Sequence, residues 1–463
     1  MKGFLIAGTS SGVGKTTVAM SITAALRHRG YTVQPFKGGP DFLDTGHHTR
    51  ISGRIARNLD TWMLSKDANC DVLQQASVGA DILLVEGMMG LYDGKDGGTE
   101  AGSSAEIAKL LRLPVVLVLD ASKSARSIAA VVLGFELFDP ELHLAGVILN
   151  RVASGRHFEM LRTAIASSCK TPILGWLPRE PAIAIPERHL GLYTPEESET
   201  GEPLENLLDQ MAALVEQHLD MDRLLTFECG LDWNQNAATS ALSNSGKVRI
   251  GVARDRAFSF YYEDNLDLLR RLGAMIVPFS PLEDTSLPPD LDGLYLGGGY
   301  PELYAGHLAS NSAMLDAVRS FAASGRPVYA ECGGMIFLSQ QLTTLDGAAY
   351  PMAGLLPFAV EMTRGLVNFG YVTVELAEDC LLGHRGQTIR GHSFHHSRIV
   401  NEANVKTRYR VRYSLSGREE DEGYWVANVL ASYIHLHFRA QPSIALSLVE
   451  AALASQSNSL VSS

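Results

Sequence analysis

No stretch of the chain approaches the ~20 consecutive apolar residues that a membrane-spanning helix requires, and no CxxC pair occurs anywhere in it. The five cysteines, Cys70, Cys169, Cys229, Cys332 and Cys380, are scattered and odd in number. That excludes a disulfide framework or a zinc knuckle as the first reading and favours a reducing cytoplasm. Positive charge is also scarce: 39 Lys and Arg stand against 51 Asp and Glu, a formal net charge of -12. A general affinity for nucleic acid, which needs a basic surface, is therefore not expected, although a local basic pocket stays open. Only one lysine and the five residues Gly3 to Ala7 precede a Gly/Ser/Thr-rich loop. This is too short for the apolar region of a signal peptide, so a cytoplasmic protein without a membrane partner is expected.

What is present is enough for two domains. The 463 residues exceed the size at which single cores stop growing, about 250–300 residues, and 46% of them are hydrophobic against 19% charged. Short apolar runs at Phe4–Ala7, Ile82–Val85, Val115–Leu119, Val147–Leu149 and Ile173–Leu177 alternate with helical patterns such as Thr16–Arg29. Such runs suit strands buried on both faces of a parallel sheet. A second α/β series follows at Val248–Ala253, Met275–Pro278, Leu294–Leu296 and Val328–Ala330, with a helix over Asp264–Leu272. The expected fold class is α/β with two doubly wound domains: residues 1–220, a linker over 221–246, and 247–463. The residues from Ser455 read as a frayed polar tail.

The first strand runs into Gly8-Thr9-Ser10-Ser11-Gly12-Val13-Gly14-Lys15-Thr16-Thr17 and then into a helix, the setting of a P-loop. Backbone N–H groups around Gly12 and Gly14 and the helix N-terminus can cradle the phosphates of ATP. Lys15 reaches the outer phosphates, and Thr16, followed by Thr17, can ligate Mg²⁺. The first glycine sits at Gly8 where the strict pattern needs position 9, a displacement that resembles the dethiobiotin-synthetase branch of P-loop enzymes. Glu86 ends the Ile82–Val85 strand at the edge where ligands of doubly wound folds bind and suits Mg²⁺ coordination beside Thr16. Asp41 and Asp44, in Lys37-Gly38-Gly39-Pro40-Asp41-Phe42-Leu43-Asp44, could each bind metal or orient substrate, or merely serve the turn. Asn150 could meet a purine edge or be an ordinary loop residue.

In the second half, Cys332 lies between the strand Val328–Ala330 and the apolar Met335–Leu338, within Glu331-Cys332-Gly333-Gly334. A strand–nucleophile–helix elbow is expected to expose the sulfur and set it at a helix N-terminus. The base would come from Ser432-Tyr433-Ile434-His435-Leu436-His437-Phe438, where alternation puts His435 and His437 on one face. Glycines of Leu296-Gly297-Gly298-Gly299, namely Gly298 and Gly299, together with Gly333, could offer N–H groups to an oxyanion. His392, His395 and His396 invite a metal reading, but on a strand His395 and His396 face opposite ways, which favours structural or substrate-contacting roles.

Taken together, these segments resemble the cobyrinic acid a,c-diamide synthase family, a dethiobiotin-synthetase-like ATPase domain fused to a class I glutamine amidotransferase domain. Beyond the P-loop and Glu331–Gly334, the resemblance rests on Gly39–Asp44, Arg57–Leu64, Val85–Gly94, Pro186–Leu192 and Ala257–Tyr262. It implies that Cys332 releases ammonia from L-glutamine and that Mg²⁺-dependent ATP use turns two acetate carboxylates of a cobalt corrinoid into acyl phosphates that ammonia displaces. His435 aligns with the family's base, while the glutamate of the His-Pro-Glu found in many class I amidotransferases is absent. Lys37, Arg50, Arg54 and Arg57 are the candidates for holding the macrocycle's carboxylates. Hydrogenobyrinic acid and nickel sirohydrochlorin are alternative macrocycles. A regulatory P-loop ATPase with a degenerate amidotransferase domain is a second class of answer, and a homodimer is left open.

Overall fold

The computed structural model describes residues 1–179, 187–188, 191–192, 204–232, 248–401 and 405–459. The chain divides into two units, Met1–Thr239 and Ser240–Ser463.

In the first unit, β1 (Lys2–Gly8), α1 (Lys15–His28), β2 (Val33–Gly38), α2 (Leu43–Ser52), β3 (Arg57–Leu59), α3 (Lys66–Ala76), β4 (Ile82–Glu86), α4 (Ser104–Leu110), β5 (Val115–Asp120), α5 (Ser127–Phe138), β6 (Leu144–Val152), α6 (Gly155–Ala166) and β7 (Ile173–Pro178) follow one another. The seven strands form one sheet in the order β3-β2-β4-β1-β5-β6-β7, and every neighbouring pair is parallel. The uniformly apolar runs occupy its centre, where Leu5, Val85 and Leu117 pack on one face and Ile6, Leu84 and Val118 on the other. With 3.6 residues per turn, Val18, Ile22, Ala25 and Leu26 share the face of α1 that is buried on the sheet.

A short strand pair, β8 (Glu187–Arg188) and β9 (Gly191–Leu192), is followed by α7 (Leu204–His218) and α8 (Met221–Leu224). Pro186, His189 and Leu190 of the expected motif lie outside the described residues. The expected linker does not start at residue 221: Met221 and Leu224 are buried in the first core. Further along, Gly3 N donates to Phe227 O at 3.0 Å and Cys229 N to Met1 O at 3.0 Å. Apolar residues on an otherwise polar stretch drive this docking. The remainder of that linker, 233–246, lies outside the described residues.

The second unit contains β10 (Val248–Ala253), α9 (Glu263–Arg271), β11 (Ala274–Phe279), β12 (Gly293–Leu296), α10 (Ala305–Ser310), α11 (Ser312–Ala323), β13 (Val328–Glu331), α12 (Gly333–Leu338), β14 (Gln341–Thr343), β15 (Ala349–Pro351), β16 (Ala359–Met362), β17 (Asn368–Leu376), β18 (Thr388–His395), β19 (Ser397–Val400), β20 (Lys406–Tyr413), β21 (Glu419–Val426), β22 (Val429–Ser432), β23 (Ile434–Leu436) and α13 (Ser443–Ser459). Ten strands order as β11-β10-β12-β13-β22-β21-β20-β17-β18-β23, and a four-stranded sheet as β15-β14-β16-β19. The first five of the ten are parallel, as the α/β pattern predicts, whereas the rest pair antiparallel. Alternating burial in β20, with Tyr409, Val411 and Tyr413 inward and Arg408, Arg410 and Arg412 less buried, is the signature of such a half. The expected frayed tail is instead the last turns of α13, where Ser455 Oγ donates to Asp292 O at 3.1 Å. Residues 460–463 lie outside the described residues.

Candidate functional site

In the first unit, the turn from β1 to α1 carries two left-handed residues, Gly12 (φ 77°) and Gly14 (φ 95°). At Gly14 glycine is obligatory twice over: the φ is strained for any side chain, and a Cβ would sit 2.3 Å from Asn150 Nδ2. Lys15 folds back over the loop, with Nζ donating to Ser10 O (3.2 Å) and Met89 O (2.5 Å). Burial lowers its pKa, and the nearby Lys37 adds to the effect.

Parallel pairing sets Lys37 of β2 directly beside Glu86 of β4. Five side chains meet there. Thr16 Oγ1 donates to Glu86 Oε1 at 2.8 Å and lies 3.5 Å from Asp44 Oδ1. Lys37 Nζ lies 2.8 Å from Glu86 Oε1 and 2.5 Å from Asp44 Oδ2. His48 Nε2 lies 2.5 Å from Glu86 Oε2. Burial pushes the Glu86 carboxyl up, but Lys37 and His48 outweigh it and hold the group below the usual carboxylate range. His48 was missed in the sequence, although its spacing of four from Asp44 on α2 puts the two on one helical face.

Several expected roles change. Asp41 Oδ1 accepts from Asp44 N at 2.8 Å, so this carboxylate serves the start of α2 rather than meeting Thr16 and Glu86, and burial together with Asp44 pushes it up to about 7. Asn150 Nδ2 donates to Val13 O (2.8 Å) and its Oδ1 accepts from Arg151 N (2.9 Å), which ties the end of β6 to the phosphate loop. Lys37 is buried among carboxylates and is not offered to a macrocycle. Arg54 donates to Gln34 Oε1 and to the carbonyls of Ala76 and Val78. Since Gln34 sits near the start of β2, Arg54 lies toward the edge opposite the phosphate loop. Arg57 opens β3 beside Phe36, and Arg50 lies half-buried on α2.

In the second unit, Cys332 links β13 to α12 with φ 45° and ψ -101°. A non-glycine residue rarely adopts this backbone, and such strain marks nucleophile elbows. The turn is held from both sides: Cys332 N donates to Ser432 O (2.7 Å) and Gly334 N to Gly297 O (2.9 Å). A Cβ on Gly334 would fall 2.3 Å from Leu296 O. His435, on β23, lies close enough to Cys332 for that side chain to act on its pKa, and its Nδ1 lies 3.6 Å from Glu331 Oε2. Burial alone would lower the imidazole pKa; Cys332 and Glu331 outweigh it and raise it to about 9.

Of the three expected oxyanion donors, Gly298 is already committed, its N–H donating to Phe260 O at 3.2 Å. Gly299 and Gly333 remain adjacent, a Cβ on Gly333 falling 2.9 Å from Gly299 N, and the Gly333 N–H opens α12, where no intrahelical acceptor exists. The histidines do not converge on a metal. His392 stacks on His435 (4.9 Å) and meets Tyr262 Oη at 3.0 Å, His437 packs on the Tyr262 ring (4.6 Å), His395 stacks on Tyr433 (3.7 Å), and His396 lies against Phe394.

Comparison with known proteins agrees with this division. Residues 4–192 match the CobQ/CobB/MinD/ParA nucleotide binding domain, and residues 249–443 match the CobB/CobQ-like glutamine amidotransferase domain. The chain is 43% identical to the cobyrinate a,c-diamide synthase of Dehalococcoides mccartyi, over 96% of this chain and 97% of that one. The enzyme of the same name from Syntrophotalea carbinolica is 45% identical over the same shares. That of Archaeoglobus fulgidus is 41% identical over 97% of each. The chain belongs to the cobyrinate a,c-diamide synthase family. In this family member the strained Cys332 with its histidine and the phosphate loop with its carboxylates fall in the two matched domains, one in each. Among the described residues no helix is long and apolar enough to cross a membrane.

Proposed function

We propose that the chain amidates the a and c acetate carboxylates of cobyrinic acid, using ATP and glutamine, in the cytoplasm. The observation that carries the reading is the left-handed Cys332 elbow with His435 beside it, in a chain whose other unit has a complete phosphate loop.

At the elbow, Cys332 Sγ attacks the side-chain amide carbon of glutamine while His435 holds the thiol proton. The N–H groups of Gly299 and Gly333 receive the oxyanion. His435 then hands its proton to the departing nitrogen, which leaves as ammonia. Water hydrolyses the γ-glutamyl thioester, giving glutamate and restoring the thiol. In the first unit, the substrate carboxylate oxygen takes the γ-phosphoryl group of ATP and ADP departs. Ammonia attacks the acyl carbon of the acyl phosphate, and inorganic phosphate leaves with the carboxylate's former oxygen.

Thr16, Asp44 and Glu86 form an all-oxygen donor set that fits Mg²⁺. Bound there, the ion would neutralise charge on the transferring phosphoryl group. Lys15 orients the outer phosphates, and Lys37 and His48 keep Glu86 ionised and aimed.

The purified chain supplied with glutamine and Mg·ATP is expected to convert cobyrinic acid to its diamide. Parallel assays with hydrogenobyrinic acid and nickel sirohydrochlorin identify the preferred macrocycle, and turnover of none of the three sinks the reading. Cys332→Ala is expected to lose glutamine use and keep amidation with free ammonia.

A further inference from the structure

The geometry points to Glu331 as the residue that positions His435, a carboxylate supplied by the residue before the nucleophile rather than by one following the base. The inference rests on the amidotransferase reading of Cys332. Glu331 ends β13 and is buried. Its Oε1 accepts from Tyr329 Oη (2.7 Å) and Leu436 N (3.2 Å), and its Oε2 accepts from Tyr295 Oη (3.1 Å). These three donors are neutral and fix the direction of the carboxylate. The fourth neighbour, His435 Nδ1 at 3.6 Å from Oε2, is the one that can carry a compensating charge. A buried carboxylate favours a cationic neighbour, and a carboxylate facing Nδ1 favours the tautomer with its proton there, leaving the other ring nitrogen to the thiol.

The position has a simple origin. Parallel pairing of β13 with β22 sets Glu331 beside Ser432, three residues before His435, so the chain brings back the base next to the end of β13. The other titratable groups around His435 are Cys332 from the elbow, His392 and His395 from β18, Tyr295 from β12, and Tyr262 through His392. Among these described groups Glu331 is the one carboxylate. Burial lowers the pKa of both His392 and His395, which keeps them neutral beside a protonated His435.

The test is the near-isosteric Glu331→Gln. Glutamine hydrolysis is expected to lose about 100-fold in kcat with KM changed less than about threefold. The alkaline limb of its pH profile is expected to move down by at least about one pH unit, because the imidazolium loses its counter-charge. Wild-type kcat, or a lowered kcat with an unmoved alkaline limb, overturns the proposal, since a purely structural glutamate would not set that limb. Should the variant fail to fold, histidine ¹⁵N spectra of the unaltered protein read the ring directly, His435 being identified by comparison with His435→Asn. At a pH above the raised imidazole pKa of about 9, neutral His435 protonated on Nδ1 is expected, and protonation on Nε2 overturns the proposal. Cys332→Ala, assayed alongside, separates the two failures. If it still hydrolyses glutamine, the amidotransferase reading falls; if it is inactive while Glu331→Gln behaves as wild type, only the positioning role falls.

Discussion

Lys37 Nζ lies 2.8 Å from Glu86 Oε1, the same oxygen that accepts the Thr16 hydroxyl at 2.8 Å. A buried ammonium therefore balances the carboxylates that the proposed Mg²⁺ would share. The parallel register of β2 on β4 makes this pairing unavoidable, because Lys37 and Glu86 are direct neighbours.

Lys37→Met should expose that balance. With the ammonium gone, Glu86 and Asp44 keep less compensation, and breaking a buried pair from one side costs about 3–5 kcal/mol. Thermal unfolding in a chelator is expected to show the loss. Added Mg²⁺ is expected to raise the midpoint more in the variant than in the wild type; an equal response would argue against a shared site.

Asn150→Ala tests whether that side chain holds the loop or reads a base. Loss of its bond to Val13 O is expected to weaken ATP and GTP binding alike, by up to about tenfold each, the worth of one hydrogen bond. A selective loss of ATP, measured by calorimetry, would restore the purine-contact reading.

Gly334→Ala should damage the elbow without touching the thiol. The new methyl would press on Leu296 O, a backbone atom that cannot swing aside, so stability is expected to fall by about 1–3 kcal/mol. Glutamine hydrolysis should fall with it by at least about tenfold, as displacement of a reacting group does. Ammonia-dependent amidation assayed below the unfolding temperature should persist.

Glu422 gives the second unit a pH dependence. The side chain is buried, with Ser432 Oγ and Tyr433 N as donors at 2.5 and 2.6 Å, and burial raises its pKa from 4.5 to about 7. A carboxyl raised on folding favours the native state while protonated. Its contribution is full below the unfolded pKa near 4.5 and is lost as pH climbs through 7, on the order of 3 kcal/mol in all. Glu422→Gln is expected to flatten that part of the curve of unfolding free energy against pH, and an unchanged slope would show that other groups set it.

The α/β class of both units, the central strands β1, β4, β5 and β10, the phosphate loop and the Cys332 elbow were all legible in the sequence, because each is a local pattern. An apolar run, a glycine at a forced turn and a helix start need only their own residues to be recognised. The antiparallel half of the second sheet was not read, since even an alternating strand such as β20 does not name its partners, which only the fold supplies. Nor could composition separate the arginines: Arg54 and Arg57 are three residues apart in sequence, yet Gln34 and the carbonyls of Ala76 and Val78 hold Arg54 toward the far edge of the sheet.

The sequence by itself determined where the elbow and the phosphate loop lie, because each is made by contiguous residues. Only the tertiary structure decided the partners of those groups. Lys37, His48 and Glu86 meet across separate elements, and Glu331 reaches His435 over a hundred residues away in the chain. Such contacts are set by strand order and register, which have no signature in any single segment.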